Sequence, residues 1–97
     1  MSGFYDNIDQ GRFEMPFDSG GAQGLVWADY VREGDILAIP HVEAEPQLRG
    51  SGAAGQFMQA MTDHTRDAGL KLKPICAYAV LWHRRHPDSH DVVVWKR

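Results

Sequence analysis

The sequence predicts a single α/β (α+β) domain, in which a mixed sheet begins as an antiparallel meander, continues through a β-α-β unit and is followed by a short C-terminal helix. Three observations lead to this fold class. The first half of the chain alternates apolar and polar residues, as half-buried strands do. A glycine-rich turn follows, and the segment after it carries apolar residues at helical spacing. We expect one domain over residues 1–97, with its core at about 7–87.

Three strands are expected in the first half of the chain, after a loose N-terminus at 1–6. These strands are 7–17, 23–31 and 36–45. Turn residues at 18–21 and 32–35 join them into antiparallel hairpins. Pro40 interrupts the third strand. Because proline cannot donate a ladder hydrogen bond, it marks either a bulge or a sheet edge.

The pattern then changes from strand to helix. Apolar residues at helical spacing predict an amphipathic helix over 52–68, and Gly69 follows where a left-handed C-cap glycine belongs. A strand at 70–76 should run parallel to the third strand, since β-α-β crossovers are right-handed and join parallel strands. Two shorter elements complete the chain, a helix at 77–85 that ends before Pro87 and a strand at 92–95.

Length, charge and cysteine content exclude several classes of protein. With 97 residues, the chain can bury roughly 60–70% of the surface it exposes when unfolded. A net charge of −3 argues against general nucleic-acid binding. No apolar run approaches the ~20 residues of a membrane span, and the N-terminal segment lacks the apolar core of a signal peptide. Together with a single cysteine, these features favour a cytoplasmic protein with neither a membrane nor a nucleic-acid partner.

The turn between the third strand and the long helix is suited to a phosphate group. The first amides of a helix have no intrahelical partners, and the helix dipole places partial positive charge there. Gly50, Gly52 and Gly55 permit close approach of a ligand to the backbone, and Arg49 adds a full charge. The alternative is a helix start that is glycine-rich for structural reasons alone. The turn is neither a Walker loop nor a Rossmann dinucleotide motif.

The pattern Arg49-x-x-Gly52-x-Ala54, placed directly after a strand, resembles motif A of the GNAT superfamily of N-acetyltransferases. Further segments are similar to a minimal one-domain GNAT-like branch of that superfamily. They are His41-Val42-Glu43-Ala44, Lys73-Pro74-Ile75-Cys76-Ala77-Tyr78 and Arg84-Arg85-His86-Pro87. The similarity covers about residues 11–87. The residues that depart from the branch's pattern, and so leave substrate preference open, are Val42, Ala44, Ala54 and Ala77.

The resemblance implies transfer of an acetyl group from acetyl-coenzyme A (acetyl-CoA) to a primary amine, by direct attack within a ternary complex. In the superfamily, motif A cradles the coenzyme's pyrophosphate, and the pantetheine arm enters where two parallel strands splay apart. An Arg-His-Pro segment implies further phosphate contacts, although two arginines at a helix end can also act as cationic caps. The residues implied to bind the coenzyme are Glu43, Ala44, Arg49, Gly50, Ser51, Gly52, Ala53, Ala54, Gly55, Arg84 and Arg85.

Four residues are candidates for the chemistry, which needs a base for the amine and a proton for the departing thiolate. Glu43 and His41 lie two apart on one strand and so share a side, and the superfamily often places a glutamate base there. Without a catalytic role, Glu43 would be a solvated carboxylate and His41 a hydrogen-bonded, half-buried histidine. Cys76 could accept the acetyl group, position the thioester or be an inert thiol. Tyr78 could protonate the thiolate, or it could pack in the core against Trp82.

No metal site is expected at the histidines 83, 86 and 90. The predicted helix ends before Pro87, so the third histidine has no fixed place, and no second cluster supplies the further ligands of a structural zinc. The acceptor amine, a small molecule or a protein lysine, is not identified by the sequence. The alternative function is a coenzyme A-binding module or thiol sensor without efficient catalysis. It stays open because the short chain lacks the helices that help to form the acceptor site in larger GNAT enzymes.

Overall fold

The computed structural model describes residues 3–19 and 21–95, which form one five-stranded sheet and two α-helices. The strands, in their order across the sheet, are β1 (Tyr5–Asn7), β2 (Arg12–Ser19), β3 (Ala22–Glu33), β4 (Ile36–Ala44) and β5 (Lys71–Pro74). The helices are α1 (Ala53–Asp67) and α2 (Ala77–Arg84), and 3-10 turns lie at Ile8–Gln10, Pro46–Leu48 and Pro87–Val92. Strands β1 to β4 are antiparallel and β5 is parallel to β4. The predicted fold class is therefore confirmed.

The N-terminal part of the sheet differs from the single strand expected at 7–17. Tyr5 and Asp6, expected in a loose terminus, belong to β1 and pair with β2. Between these strands the chain passes through the first 3-10 turn and reverses at Gly11, whose φ of 68° lies in the left-handed region. The expected 18–21 hairpin joins β2 to β3, although its residue Gly20 lies outside the described residues.

The physical reason for the extra strand is the carboxylate of Glu14 on β2, which is only 3% exposed. The hydroxyl of Tyr5 and the side-chain amide of Asn7, both from β1, donate hydrogen bonds to it. Arg12 is the third partner, and its Nε lies 2.5 Å from Oε2 of Glu14. A buried carboxylate needs such partners. The Tyr5 hydrogen bond is the largest of the effects that lower the pKa of Glu14.

Strand β4 contains a β-bulge at Pro40. Pro40 and the residue before it oppose a single residue of β3, Tyr30, and this two-to-one pairing defines a bulge. The sequence left a bulge or a sheet edge open at this proline. The structure shows both: Pro40 belongs to the bulge against β3, and it lies just beyond Ile39, the last β4 residue that pairs with β5.

Both helices pack on one face of the sheet and form the core with it. Helix α1 begins one residue later and ends one residue earlier than predicted, with Gly52 as its N-cap, and Gly69 has the expected positive φ, 72°. Neither described helix is long and apolar enough to cross a membrane. The core cluster consists of Phe13, Met15, Val26, Ala28, Leu37, Ile39, Leu48, Ala53, Phe57, Met58, Met61, Leu72, Ala79 and Trp82.

The C-terminal segment corrects two expectations. Strand β5 ends at Pro74, so Cys76 is the N-cap of α2 and not a strand residue. The strand expected at 92–95 is wrong, since this segment makes only a single parallel bridge, from Val93 to Leu72. The preceding 3-10 turn explains the difference.

Helix α1 holds that turn in place through Arg66. Its Nη2 lies 2.8 Å from Asp91 Oδ1 and donates to the carbonyl of Asp88 at 3.1 Å. The turn formed by Pro87–Val92 therefore takes Val92 from the expected strand and leaves only three described residues after it.

The other face of the sheet, called the open face below, carries no helix among the described residues. Side chains alternate along a strand, so the partners Trp27 and Glu43 point away from the helices, as do Asp29 and His41. The guanidinium carbon of Arg12 lies 4.8 Å from the centroid of the Trp27 ring.

Candidate functional site

The glycine-rich turn presents its backbone to open space. Gly50 and Gly52 have φ values of 79° and 83°. A β-carbon built on either one would meet no other atom within 4 Å. Ser51 fixes the turn, because its hydroxyl donates to the Leu48 carbonyl at 2.6 Å and accepts from the Ala53 N–H at 3.2 Å.

The start of α1 leaves amides available for a ligand. The N–H of Gln56 donates to the carbonyl of Gly52, at 3.1 Å. The N–H groups of Ala54 and Gly55 therefore precede the regular hydrogen bonds of the helix. The first turn of α1 holds no acidic side chain that would repel an anion. Together with the helix dipole, these amides favour a phosphate group.

A cleft of about 400 Å³ opens over this turn and is called the turn cleft below. It lies between the end of β4, the start of α1 and the start of α2. The structure thus brings Tyr78 to the glycine-rich turn, together with the exposed cation Arg49. The residues that line the cleft are Ala44, Glu45, Leu48, Arg49, Gly50, Gly52, Ala54, Gly55 and Tyr78. Of the predicted coenzyme contacts, Ser51 and Ala53 support the turn without lining the cleft.

Strands β4 and β5 part beside the turn cleft. Their last pair is Ile39 with Pro74, and β4 continues to Ala44 paired with β3 only. The N–H groups of Ile75 and Cys76 both donate to the carbonyl of Ile39, at 3.0 and 3.2 Å. The chain therefore leaves the sheet at this point and enters α2.

Beyond the parting, β4 offers backbone groups to an extended ligand. The N–H of Glu45 donates to the carbonyl of Leu25 on β3, at 3.0 Å. Backbone groups alternate in direction along a strand, so those of Ala44 and Val42 point away from β3 into the gap. Those of Glu43 point toward β3. Of the two β4 residues expected to contact the coenzyme, Ala44 therefore offers its backbone groups to the gap and Glu43 does not; Val42 offers its own as well.

Cys76 and Tyr78 lie at the start of α2, on the other side of the gap. The sulfur of half-buried Cys76 accepts a hydrogen bond from the N–H of Ala79 at 3.4 Å. Tyr78 is 40% exposed, so it does not pack in the core with Trp82. Burial first, and the charge of a Cys76 thiolate second, raise the pKa of Tyr78. Its hydroxyl therefore keeps a proton that it can donate.

His41 and Glu43 lie on the open face, and neither lines the turn cleft. Nε2 of His41 is 2.8 Å from Oε1 of Glu43. Their side chains are 51% and 45% exposed. The prediction that they share a side is confirmed. The pair can accept a proton from a molecule that approaches from solvent.

Helix α2 separates the two predicted arginines. Arg84 lines a second cleft, together with Lys73 and Trp95. Consecutive helical residues differ by about 100° in direction, so Arg85, immediately after α2, lies on the flank that carries Tyr78. Neither arginine lines the turn cleft, and contact of either one with coenzyme phosphates stays a prediction.

Comparison with known proteins agrees with this geometry. Residues 12–92 match the family model described as GCN5-related N-acetyl-transferase. The chain belongs to the GCN5-related N-acetyltransferase family. The solution structure of a GCN5-like N-acetyltransferase candidate from Staphylococcus aureus aligns with a TM-score of 0.69, at 20% identity, over 100% of this chain and 94% of that one. At that identity the likeness establishes a shared fold. No curated protein matches the sequence.

Two residues that position the turn cleft of this GCN5-related protein were not identified from the sequence. Glu45 lines the cleft, and its Oε1 accepts a hydrogen bond from the N–H of Leu25 at 2.7 Å. Gly24 on β3 lies directly beneath the turn, where a β-carbon would stand 2.9 Å from Gln47 Nε2 and 3.0 Å from Leu48 Cγ. A glycine inside a strand often marks such a close approach, and this was the available signal.

The described residues contain no group of three or more His, Cys, Asp or Glu side chains placed to hold a metal ion. The three C-terminal histidines have structural contacts instead. His83 is buried, with Nδ1 2.8 Å from Ser89 Oγ. His86 stacks on Trp82 at 3.8 Å between ring centroids, and Nε2 of His90 is 2.6 Å from the His83 carbonyl. Burial lowers the pKa of His83 to about 4, with smaller effects from His90 and His86.

Proposed function

We propose that this family member is an acetyl-CoA-dependent N-acetyltransferase that acts on a primary amine by direct transfer. The turn cleft carries the proposal. In it, open helix amides and Arg49 meet Tyr78 at the place where β4 and β5 part. A phosphate site next to a gap between parallel strands fits a long ligand with a pyrophosphate in its middle.

The residues present fit the coenzyme. The pyrophosphate would bind the backbone amides from Gly50 to Gly55 and the side chain of Arg49. The open space over Gly50 and Gly52 supports this placement, because a β-carbon there would have no protein neighbour. The amide-containing pantetheine arm would pair with the backbone of Val42 and Ala44, as an added strand pairs with a sheet edge.

The catalytic groups lie on two sides of the gap. Acetyl-CoA supplies an activated acetyl thioester. Glu43, in contact with His41, would take the proton of an amine arriving over the open face. Tyr78, whose pKa is raised, would give a proton to the departing thiolate from the turn cleft. The acceptor is an amine on a small molecule or a protein lysine, and the exposed position of Glu43 supports either size.

Binding and turnover measured separately test this function. Calorimetry compares the binding of acetyl-CoA with that of S-acetylpantetheine, which lacks the pyrophosphate. Turnover is measured as the release of coenzyme A in the presence of each of a panel of amines. We expect acetyl-CoA to bind far more tightly, and at 100 times its Kd to add about 2.7 kcal/mol of stability. Binding without turnover of any amine would point to a coenzyme A-binding module. Absence of binding would refute the proposal.

A further inference from the structure

A cleft with a volume of about 630 Å³ lies away from the turn cleft. We call it the second cleft. It is bounded by the end of β5, one flank of α2 and the C-terminal segment that runs beside β5. Its volume is within the range of small-molecule sites.

One wall of the second cleft is apolar and reachable from solvent. Ile75 and Trp95 line it and are 52% and 40% exposed, and Val80 of α2 joins them. The His90 ring meets the Trp95 ring edge to face, at 5.5 Å between centroids. This contact orients the indole. The wall suits an aromatic or branched aliphatic group of a ligand.

The other wall is cationic, because Lys73 and Arg84 line it. Lys73 Nζ lies 3.7 Å from Glu33 Oε1, and this ion pair offsets part of the lysine charge. Among the ion pairs of the described residues, none involves Arg84. Arg84 therefore faces the second cleft with an available guanidinium, which suits a carboxylate because it can donate two parallel hydrogen bonds.

The second cleft is distinct from the site proposed for acetyl-CoA. The two clefts share no lining residue. Tyr78 lines one of them, whereas Val80 and Arg84 line the other from the opposite flank of α2. A coenzyme bound at the glycine-rich turn would thus leave the second cleft accessible.

We propose that the second cleft binds a small monoanion, a carboxylate on an aromatic or branched apolar body. One available guanidinium matches one negative charge, and the wall formed by Ile75, Val80 and Trp95 matches the apolar body. A dianionic phosphate would be less well balanced, because Glu33 offsets part of the Lys73 charge.

Amide NMR shifts with two matched probes test the proposal on the intact chain. Phenylpropionate carries the required charge and ring, and phenylpropionamide has nearly the same shape without the charge. We expect phenylpropionate to shift the signals of Val80 and the Trp95 indole N–H, and to bind about tenfold more tightly than the amide. Arg84→Gln should remove this preference. Arg85→Gln, a neighbouring arginine on the other flank, should retain it.

Three outcomes would overturn the proposal. The first is no binding of either probe at millimolar concentration, and the second is equal binding of acid and amide. The third is a set of shifts centred on Gly50–Gly55, which would place the anion in the turn cleft. Because each readout is independent of acetyl transfer, failure here is separable from failure of the proposed enzyme activity.

Discussion

Ile39 and Pro74 form the last pair between β4 and β5, and beyond them the two parallel strands part. The carbonyl of Ile39 accepts hydrogen bonds from both Ile75 and Cys76, which fixes the chain as it leaves the sheet. The gap is thus part of the folded protein and does not have to be created by a ligand. Single substitutions around it can therefore test binding and chemistry separately.

Substitution of Gly52 tests the phosphate site. Gly52→Val should abolish acetyl-CoA binding while the protein stays folded, because the side chain would enter the turn cleft and resist the φ of 83°. Gly34→Val is the matched control. Gly34 also has a positive φ, 68°, and open space at its β-carbon, but it lies in the β3–β4 turn. Calorimetry should show loss of binding only in the first variant, and equal affinity in the two would place the pyrophosphate elsewhere.

Cys76 distinguishes direct transfer from a covalent relay. For direct transfer we expect Cys76→Ala to keep substantial turnover and to lose little stability, since the sulfur that caps the Ala79 N–H is a weak acceptor. Intact-protein mass spectrometry after incubation with acetyl-CoA alone should show no added acetyl group at this residue. A stoichiometric thioester on Cys76, discharged by added amine, would establish the relay instead.

Glu43 is expected to act as the base. Glu43→Gln should lower kcat by about 10²-fold or more, most clearly at pH values below the pKa of the amine, where a proton must be removed. Acetyl-CoA affinity should change little, because the Glu43 side chain lies on the open face. Asp9→Asn, which neutralises another exposed carboxylate, serves as the control. If both variants retain full turnover at every pH, Glu43 is not the base.

Tyr78 is expected to act as the acid. Because its pKa is raised above 10.0, the hydroxyl stays protonated and the wild-type rate should hold on the alkaline side to about pH 10. Tyr78→Phe should lower kcat with little change in affinity for acetyl-CoA. Tyr30→Phe is the control, since Tyr30 also has a raised pKa, about 12, but its hydroxyl donates a hydrogen bond to Asp6 and does not line the turn cleft. A pH–rate profile of Tyr78→Phe identical to wild type would contradict the assignment.

The stability of the protein should fall as the pH is lowered toward 5, because of His83. Its pKa is about 4 in the folded state, against 6.5 for an unperturbed histidine, so the unfolded chain binds the proton more strongly. Between about pH 6.5 and pH 5 this difference removes about 2 kcal/mol of stability. Denaturant titrations should show the loss in wild type and in His41→Gln. They should show a flatter dependence in His83→Gln, and an unchanged slope there would refute the role of His83.

Local patterns were sufficient for most of the fold. The alternation in β3 and β4, the helical spacing of Phe57 and Met61, and the glycine at position 69 predicted their elements within a few residues. The β1 strand was not predictable in this way. It depends on the partners of buried Glu14, a polar residue between the apolar Phe13 and Met15 of β2, and nothing in the alternating pattern indicates that its carboxylate is buried.

Some features of the candidate site likewise follow from local sequence, and others depend on tertiary packing. The amides after Gly52 follow from local sequence, since any helix start exposes them. The position of Arg84 in the second cleft, and of Glu45 against β3, depends on how α2 and the turn pack against other elements. A single sequence carries no direct signal for these contacts.

The close approach at Gly24 has a consequence for mutational scans. Any side chain at this position would crowd the side chains of Gln47 and Leu48, which belong to the 3-10 turn that leads into the glycine-rich turn. Substitutions at position 24 should therefore weaken acetyl-CoA binding in a screen. If every position at which substitutions weaken binding were taken to touch the coenzyme, Gly24 would be misassigned as a ligand contact, whereas it acts by leaving room for the loop that precedes the turn.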